Sequence, residues 1–233
     1  MSPEATRSWT NQITPPGDIV IAAELLVLRV SGGAEGDSPR TSAPDLEKAL
    51  FSERFADLVA TFPSRAAFSS AMPPHVLFAS AGEVSISGLS LNLICQQLTE
   101  ESLRELIDGG CTMRCLFLAP HGQSIRVREK EEDYPPGHLS ALTEMNIHIL
   151  MKLRSRLSEE AQPRLRIRTY DEPLRFNIVV IDRRLAVVQP YMPAVRGVDS
   201  PTFLLRRQPS GLGLMPAFES VFTWLWDRGQ PVY

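Results

Sequence analysis

The feature that most constrains the fold of this chain is an alternation of strand-type and helix-type segments from near residue 75 to the C-terminus. Strand-type segments are rich in β-branched residues or alternate apolar with polar ones; helix-type segments repeat apolar residues every three or four positions. The predicted strands are residues 75–79, 84–91, 112–118, 165–170, 176–181, 185–188 and 202–207. The predicted helices are residues 99–108, 142–157 and 214–228. This order predicts an α/β fold with a mixed β-sheet and helices on both faces.

The first 74 residues lack this alternation and predict a short N-terminal extension. Residues 45–61 carry apolar side chains at helical spacing, which predicts one helix, and residues 63–74 are expected to form a loop. Residues 18–30 are apolar enough for a buried strand or a short helix, and their periodicity does not distinguish the two. We therefore expect an extension over residues 1–74 and a single α/β domain over residues 75–233.

Charge and cysteine content narrow the possible classes of protein. The net charge is −3 and the chain lacks the basic excess of non-specific nucleic-acid binders, so we expect no strong nucleic-acid signal. Three cysteines without a Cys-x-x-Cys spacing favour neither a disulfide framework nor a zinc site, so we expect no metal, no cofactor and a reducing cytoplasm. No apolar run reaches about 18 residues, so we expect no membrane span.

A motif register on the predicted hairpin resembles that of the phospholipase D superfamily, which carries His-x-Lys-x4-Asp and, seven residues after the Asp, a Gly-Ser-x-Asn-type segment. This chain has Arg175, Asn177 and Asp182 at the corresponding positions, followed by a segment running from Gln189 through Tyr191. The order of strands and helices is also similar to one half of that fold. The resemblance implies a single phospholipase D-like half-domain that lacks the catalytic His and Lys. It also implies a two-fold homodimer in which two half-sites meet.

The chain is more closely similar to an uncharacterised bacterial branch of that superfamily. The shared segments are Phe-Leu-Ala-Pro at 117–120, an Arg/Glu-rich run at 127–132, Gln-Pro-Tyr-Met-Pro at 189–193 and the segment 196–203. This resemblance supports the fold and implies no activity.

The residues at the motif positions predict an anion site. Arg175 would offer a planar guanidinium, Asn177 would donate a neutral hydrogen bond to a phosphate oxygen, and Asp182 would orient the arginine. Gln189 and Tyr191 would complete the site. The alternative is that Asp182 belongs only to a hairpin turn and Asn177 is a satisfied strand amide.

Other candidate residues lie in loops and in one strand. The long segment 120–137 follows a strand, where α/β folds place ligands; its candidates are His121, Arg128, Glu129 and Glu132. Part of it, residues 124–133, could instead be a solvated helix with Arg–Glu pairs. Arg196 and Ser200 are donor types found in phosphate sites, although their segment could be an ordinary turn. Ser87 lies in a small-residue strand that could leave room for a ligand or simply pack in the core.

These residues support two function hypotheses. The first is a catalytically degenerate domain that binds a phosphate-bearing small molecule, such as a nucleotide, in a sensory or regulatory role. The second is an enzyme with rewired chemistry on the same scaffold, performing phosphodiester hydrolysis or group transfer. In the second case His121, Glu129 and Asp182 would be the catalytic residues, because histidine and carboxylates exchange protons near neutral pH.

Overall fold

An eight-stranded mixed β-sheet forms the centre of the fold. The structure is a computed structural model that describes residues 57–209, 211 and 213–233, and these residues belong to one compact unit. The strands are β1 Leu58–Phe62, β2 Glu83–Gly88, β3 Thr112–Leu118, β4 Leu165–Tyr170, β5 Phe176–Ile181, β6 Leu185–Pro190, β7 Thr202–Arg206 and β8 Gln230–Pro231. Their spatial order is β1-β7-β6-β5-β2-β3-β4-β8. The β2–β3 and β3–β4 pairs are parallel and the other pairs are antiparallel.

Seven α-helices lie in the described residues, and two of them begin at a capping side chain. They are α1 Arg65–Ala71, α2 Pro74–Leu77, α3 Asn92–Cys95, α4 Glu100–Asp108, α5 Gln123–Glu131, α6 His138–Arg156 and α7 Met215–Arg228, with 3₁₀ turns at Gln162–Arg164 and Gly197–Asp199. The Ser64 and Thr99 hydroxyls each accept an N–H at 3.1 Å from the first turn of α1 and α4. Such caps satisfy donors that lack an intrahelical partner.

Helices cover both faces of the sheet. On one face, Leu150 of α6 belongs to the same buried cluster as Ile86 and Val179. On the other face, Met215 of α7 packs with Ile178. Because successive strand residues point to opposite faces, the neighbours Ile178 and Val179 lie in different layers of the core. The predicted α/β fold, with a mixed sheet covered on both faces, is confirmed.

Several predicted elements differ from the structure. The strand predicted at residues 75–79 is wrong: this segment contains α2, which starts at Pro74, and proline at the first helical position favours a helix. The helix predicted over residues 45–61 is wrong for its described end, because Leu58–Phe62 form β1 and pair with β7. Pairing with a partner distant in sequence overrides the local helical period. The loop expected over residues 63–74 contains α1.

The long segment after β3 contains a helix, so the structure favours the helical alternative for residues 124–133, as α5 covers Gln123–Glu131. The β5–β6 hairpin is confirmed. Predictions for residues 18–30 and 45–56 lie outside the described residues, and the domain boundary expected at residue 74 stays a prediction. No helix in the described part of the chain is long and apolar enough to cross a membrane.

Candidate functional site

Two buried amide side chains lie side by side at the end of the β5–β6 hairpin that is remote from its turn. Asn177 pairs with Gln189 across the hairpin, and paired residues share one face of a sheet. A Cβ atom at Gly88 would lie 3.0 Å from Nδ2 of Asn177, so the glycine leaves room for this amide. Ser87 pairs with Ile178, the neighbour of Asn177, and therefore points to the opposite face. The structure thus separates Ser87 from Asn177 and Gln189.

Gln189 anchors the segment that follows β6. Its Nε2 donates to the carbonyl oxygen of Gly197 at 2.7 Å and to that of Ser200 at 3.1 Å. Ser200 is fully buried, and its hydroxyl donates to the carbonyl oxygen of Arg196 at 3.5 Å. Both side chains therefore satisfy backbone groups of a buried turn and fix the path that carries Arg196.

Tyr191 connects this hairpin end to the end of β2. Its phenolic oxygen accepts the N–H of Leu89 at 3.3 Å and a hydrogen bond from the side chain of Asn177. Its ring packs on Gly197, where an added Cβ would lie 3.0 Å from Cε1 of the tyrosine. Three of the predicted ligand residues therefore lie next to one another, since Asn177 contacts both Gln189 and Tyr191.

A cavity of about 370 Å³ opens beside Tyr191, between the segment after β2, the start of α6 and the 3₁₀ turn at Gly197–Asp199. Its polar and aromatic lining includes Arg65, Asn92, Gln96, Glu132, Tyr134, His138, Tyr191 and Arg196. Among the predicted residues, Tyr191, Glu132 and Arg196 therefore reach one cavity.

The charge of this cavity is positive. Among the described residues, the side chains of Arg65 and Arg196 have no ion-pair or hydrogen-bond partner. The carboxylate of Glu132 is occupied, because its Oε1 accepts from Nε of Arg128 at 2.6 Å. Two unpaired guanidinium groups in one cavity favour an anionic ligand.

Arg128 is a buried structural residue rather than an exposed ligand-binding one. Its side chain is 2% exposed and donates to Glu131 at 2.9 Å and to the carbonyl oxygens of Met192 and Val195 at 3.1 and 2.7 Å. Its guanidinium carbon also lies 5.0 Å from the centre of the Tyr191 ring. The N–H donors of Arg128 are therefore bonded to other groups of the protein, and these bonds fix the segment between Tyr191 and Arg196.

Glu129 caps helix α6. Its carboxylate accepts the N–H groups of Gly137, Leu139 and Ser140 at 3.0, 2.9 and 3.2 Å. Burial alone would raise the pKa of the Glu129 carboxyl, but these backbone hydrogen bonds outweigh it and hold the pKa below its ordinary value. A carboxylate stabilised in this way is a poor proton acceptor, so its contacts are those of a helix cap.

The three remaining predicted residues lie apart from the cavity lining. His121 is 81% exposed and contacts Glu144 of α6 at 2.7 Å. Asp182 lies at the hairpin turn, where its Oδ1 accepts the N–H groups of Gly82 and Glu83, both at 2.8 Å. Arg175 lies at the other end of β5 and lines a different cavity. The expected orientation of Arg175 by Asp182 is therefore absent.

Sequence reasoning missed the aromatic pair at the cavity. Tyr134 and His138 stack with ring centres 4.5 Å apart and planes 7° from parallel. The sequence signal for this pair is the spacing of four residues, which brings two side chains together on one face of a helix. Helix α6 begins only at His138, after Gly137, so the two residues do not lie in one continuous helix. Arg65 was also missed, because its segment was expected to be a loop. Within the described ranges, no cluster of His, Cys, Asp and Glu could hold a metal ion.

Solved structures that are similar to this chain include those of TrmBL2 and Nuc. TrmBL2 is an archaeal chromatin protein described as showing a novel mode of DNA binding, with 13% identity, a TM-score of 0.45 and coverage of 92% of this chain. The chain spans 64% of the length of that protein. Nuc from Salmonella typhimurium is a phospholipase D family member, with 11% identity and a TM-score of 0.42, covering 74% of this chain and 95% of that one.

The comparisons correct one expectation and identify a family. The expectation of no strong nucleic-acid signal is contradicted, because a similar structure is that of a DNA-binding protein.

No curated protein matches the sequence. A family model described as a domain of unknown function matches residues 54–233, which is more than half of the chain. The protein therefore belongs to the family of the domain of unknown function DUF5919.

Proposed function

We propose that this domain is a phospholipase D-like scaffold without the superfamily's nucleophile, and that it binds a phosphate-bearing small molecule in the cavity beside Tyr191. The observation that carries the proposal is the presence of two unpaired arginines, Arg65 and Arg196, in one cavity of the described residues. A guanidinium presents two parallel N–H donors to a phosphate, and such charge-assisted bonds are stronger than neutral ones.

A nucleotide is the class of ligand that best matches this lining. Tyr134 and His138 offer a stacked aromatic surface, and nucleobases stack on such surfaces. Asn92 and Gln96 supply amide groups that can donate to and accept from a base or a sugar. The volume of about 370 Å³ lies within the roughly 300–1,000 Å³ that is usual for small-molecule sites.

The contacts support binding rather than turnover. Arg175 and Asn177 stand where the superfamily has His and Lys, and a guanidinium stays protonated and cannot attack phosphorus. The carboxylates of Glu129 and Asp182 are occupied by backbone N–H groups. No observation on the described residues favours the enzyme hypothesis.

The positions of the two arginines support a regulatory role. Arg65 begins α1, and Arg196 directly precedes the 3₁₀ turn that α1 packs against. A phosphate held by both would crosslink these two segments. Binding would therefore stabilise the contact between α1 and the 3₁₀ turn. A ligand that binds one conformation more tightly increases the population of that conformation.

The proposal is tested by calorimetric titration of the full chain with nucleoside mono-, di- and triphosphates, and with the matching nucleosides as neutral controls. We expect Arg65→Ala and Arg196→Ala each to weaken nucleotide binding about tenfold or more, since a charge-assisted bond is worth about 1.5–3 kcal/mol. Arg104→Ala, an exposed arginine on α4 outside the cavity, is the matched control. Absence of binding to every phosphate, or an equal loss with Arg104→Ala, would overturn the proposal.

A further inference from the structure

A second cavity, of about 520 Å³, lies between α7 and the chain that connects β4 to β5. Its apolar walls are formed by Tyr170, Phe176, Ile178, Val221, Trp224 and Leu225. It shares no lining residue with the cavity beside Tyr191. It is therefore a separate site, and its properties do not depend on the function proposed above.

The floor of this cavity is formed by side chains that are packed in place, and its outer wall is exposed to solvent. Ile178 is fully buried in the sheet, and Phe176 is fixed by an edge-to-face contact with Phe218 at 5.3 Å. On the outer wall, Trp224 is 53% exposed and Val221 is 36% exposed. Large apolar side chains gathered around a concave surface mark a binding site more often than isolated exposed ones do.

The charges at the cavity mouth are not balanced. Glu172 is occupied, because Nε and Nη2 of Arg228 donate to its Oε1 at 3.1 and 3.0 Å. Arg228 in turn lies 4.6 Å from the centre of the Trp224 ring. Arg175 is exposed and its side chain has no ion-pair or hydrogen-bond partner among the described residues. One unpaired positive charge therefore remains beside an apolar cavity.

We propose that this cavity binds a small amphipathic anion, an apolar chain or ring that carries one anionic head group. The apolar body lies against Phe176, Val221 and Trp224, where its burial removes apolar surface from water. The head group pairs with the guanidinium of Arg175 at the mouth. The two features together define the class of ligand, because the walls favour an apolar body and the unpaired arginine favours a negative charge.

The experiment uses decanoate as the probe, below its micelle concentration, and decanol as the neutral match of equal chain length. Binding to the full chain is followed by tryptophan fluorescence, with Trp224→Phe to assign the signal, and by calorimetry. We expect decanoate to bind at least about tenfold more tightly than decanol. Arg175→Ala should remove that tenfold difference and leave the affinity for decanol unchanged, because the substitution deletes only the charge-assisted contact.

Three further variants test whether the probes bind in this cavity and nowhere else on the protein. Ser220→Trp places a large ring in the cavity wall and should abolish binding of both probes, with circular dichroism confirming that the variant is folded. Arg196→Ala and Arg104→Ala, which lie outside this cavity, should leave decanoate binding unchanged. The proposal is overturned if decanoate does not bind, if decanol binds equally well, or if Arg175→Ala leaves the affinity for decanoate unaltered.

Discussion

The guanidinium Nη2 of Arg128 lies 2.7 Å from the carbonyl oxygen of Val195, although the two residues are 67 positions apart in the chain. This hydrogen bond joins α5 to the segment between Tyr191 and Arg196. Because both of those residues line the cavity beside Tyr191, Arg128 contributes to that cavity by positioning its wall rather than by touching a ligand.

Replacement of Arg128 by alanine should reduce the free energy of unfolding by about 3–5 kcal/mol, because it leaves the buried carboxylate of Glu132 without its cation. The double variant Arg128→Met with Glu132→Leu should lose less, since no unpaired charge remains. Chemical denaturation of both variants measures these differences. A double variant at least as unstable as the single one would contradict the assigned role of the ion pair.

Replacement of Glu129 by glutamine should cost about 1–2 kcal/mol near pH 7, the usual range for a lost helix cap. The pKa of Glu129 is lowered in the folded protein, so its stabilising effect is present above the unfolded pKa of about 4.3 and is lost as the pH falls through the folded value. Urea unfolding from about pH 7 to about pH 3.5 should therefore show the difference between wild type and variant shrinking with acidification. A difference that stays constant over this range would refute the capping role; Glu105→Gln, on an exposed position of α4, is the control.

The sequence predicted strands β2 to β7 and helices α4, α6 and α7 because these elements depend on local patterns. The β5–β6 hairpin follows from two apolar runs on either side of a short polar turn, and helix α4 follows from the Thr99 cap; both signals are contained in short segments. The register that places Asn177 beside Gln189 also follows from the hairpin, since pairing within a hairpin is fixed by its turn.

The position of Arg65 could not be predicted in this way. Arg65 reaches the cavity through α1, which follows β1, and β1 is placed by pairing with β7 near the other end of the chain. No local pattern encodes that contact. The expected contact between Arg175 and Asp182 fails for a simpler reason: the ends of one strand such as β5 lie about 16–20 Å apart, which is beyond the reach of side chains.

Replacement of Asp182 by alanine tests whether this residue is structural. Asp182 and Arg183 both have positive φ values, 51° and 53°, and the side chain of Asp182 accepts two N–H groups from the start of β2. We expect a loss of about 1–3 kcal/mol in stability, because two backbone donors lose their acceptor. Nucleotide binding at temperatures well below unfolding should be unchanged. A large loss of binding with unchanged stability would instead support a functional role.

The three cysteines should be unreactive in the native protein. Burial raises the pKa of Cys95 to about 12 and that of Cys111 to about 11, and it raises the pKa of Cys115 well above its ordinary value. The thiolate is the reactive form, so a thiol reagent near pH 8 should label none of them until denaturant is added. All three should then react. All three side chains are buried, and labelling of the native protein would contradict the predicted lack of reactivity.

Replacement of Gly197 by alanine should disturb the cavity beside Tyr191 specifically. The added methyl group would lie 3.0 Å from Cε1 of Tyr191, and the tyrosine cannot move freely because its hydroxyl is bonded to Leu89 and Asn177. Overpacking of this kind costs about 1–3 kcal/mol. Gly82→Ala is the matched control, since its methyl group would meet an atom only at 3.4 Å, an ordinary contact distance. We expect calorimetry to show weaker nucleotide binding for Gly197→Ala and no change for Gly82→Ala. If Gly197→Ala binds nucleotides as tightly as the wild type does, the position of Tyr191 does not determine nucleotide affinity. The phosphate must then be held by contacts that do not involve the Tyr191 ring.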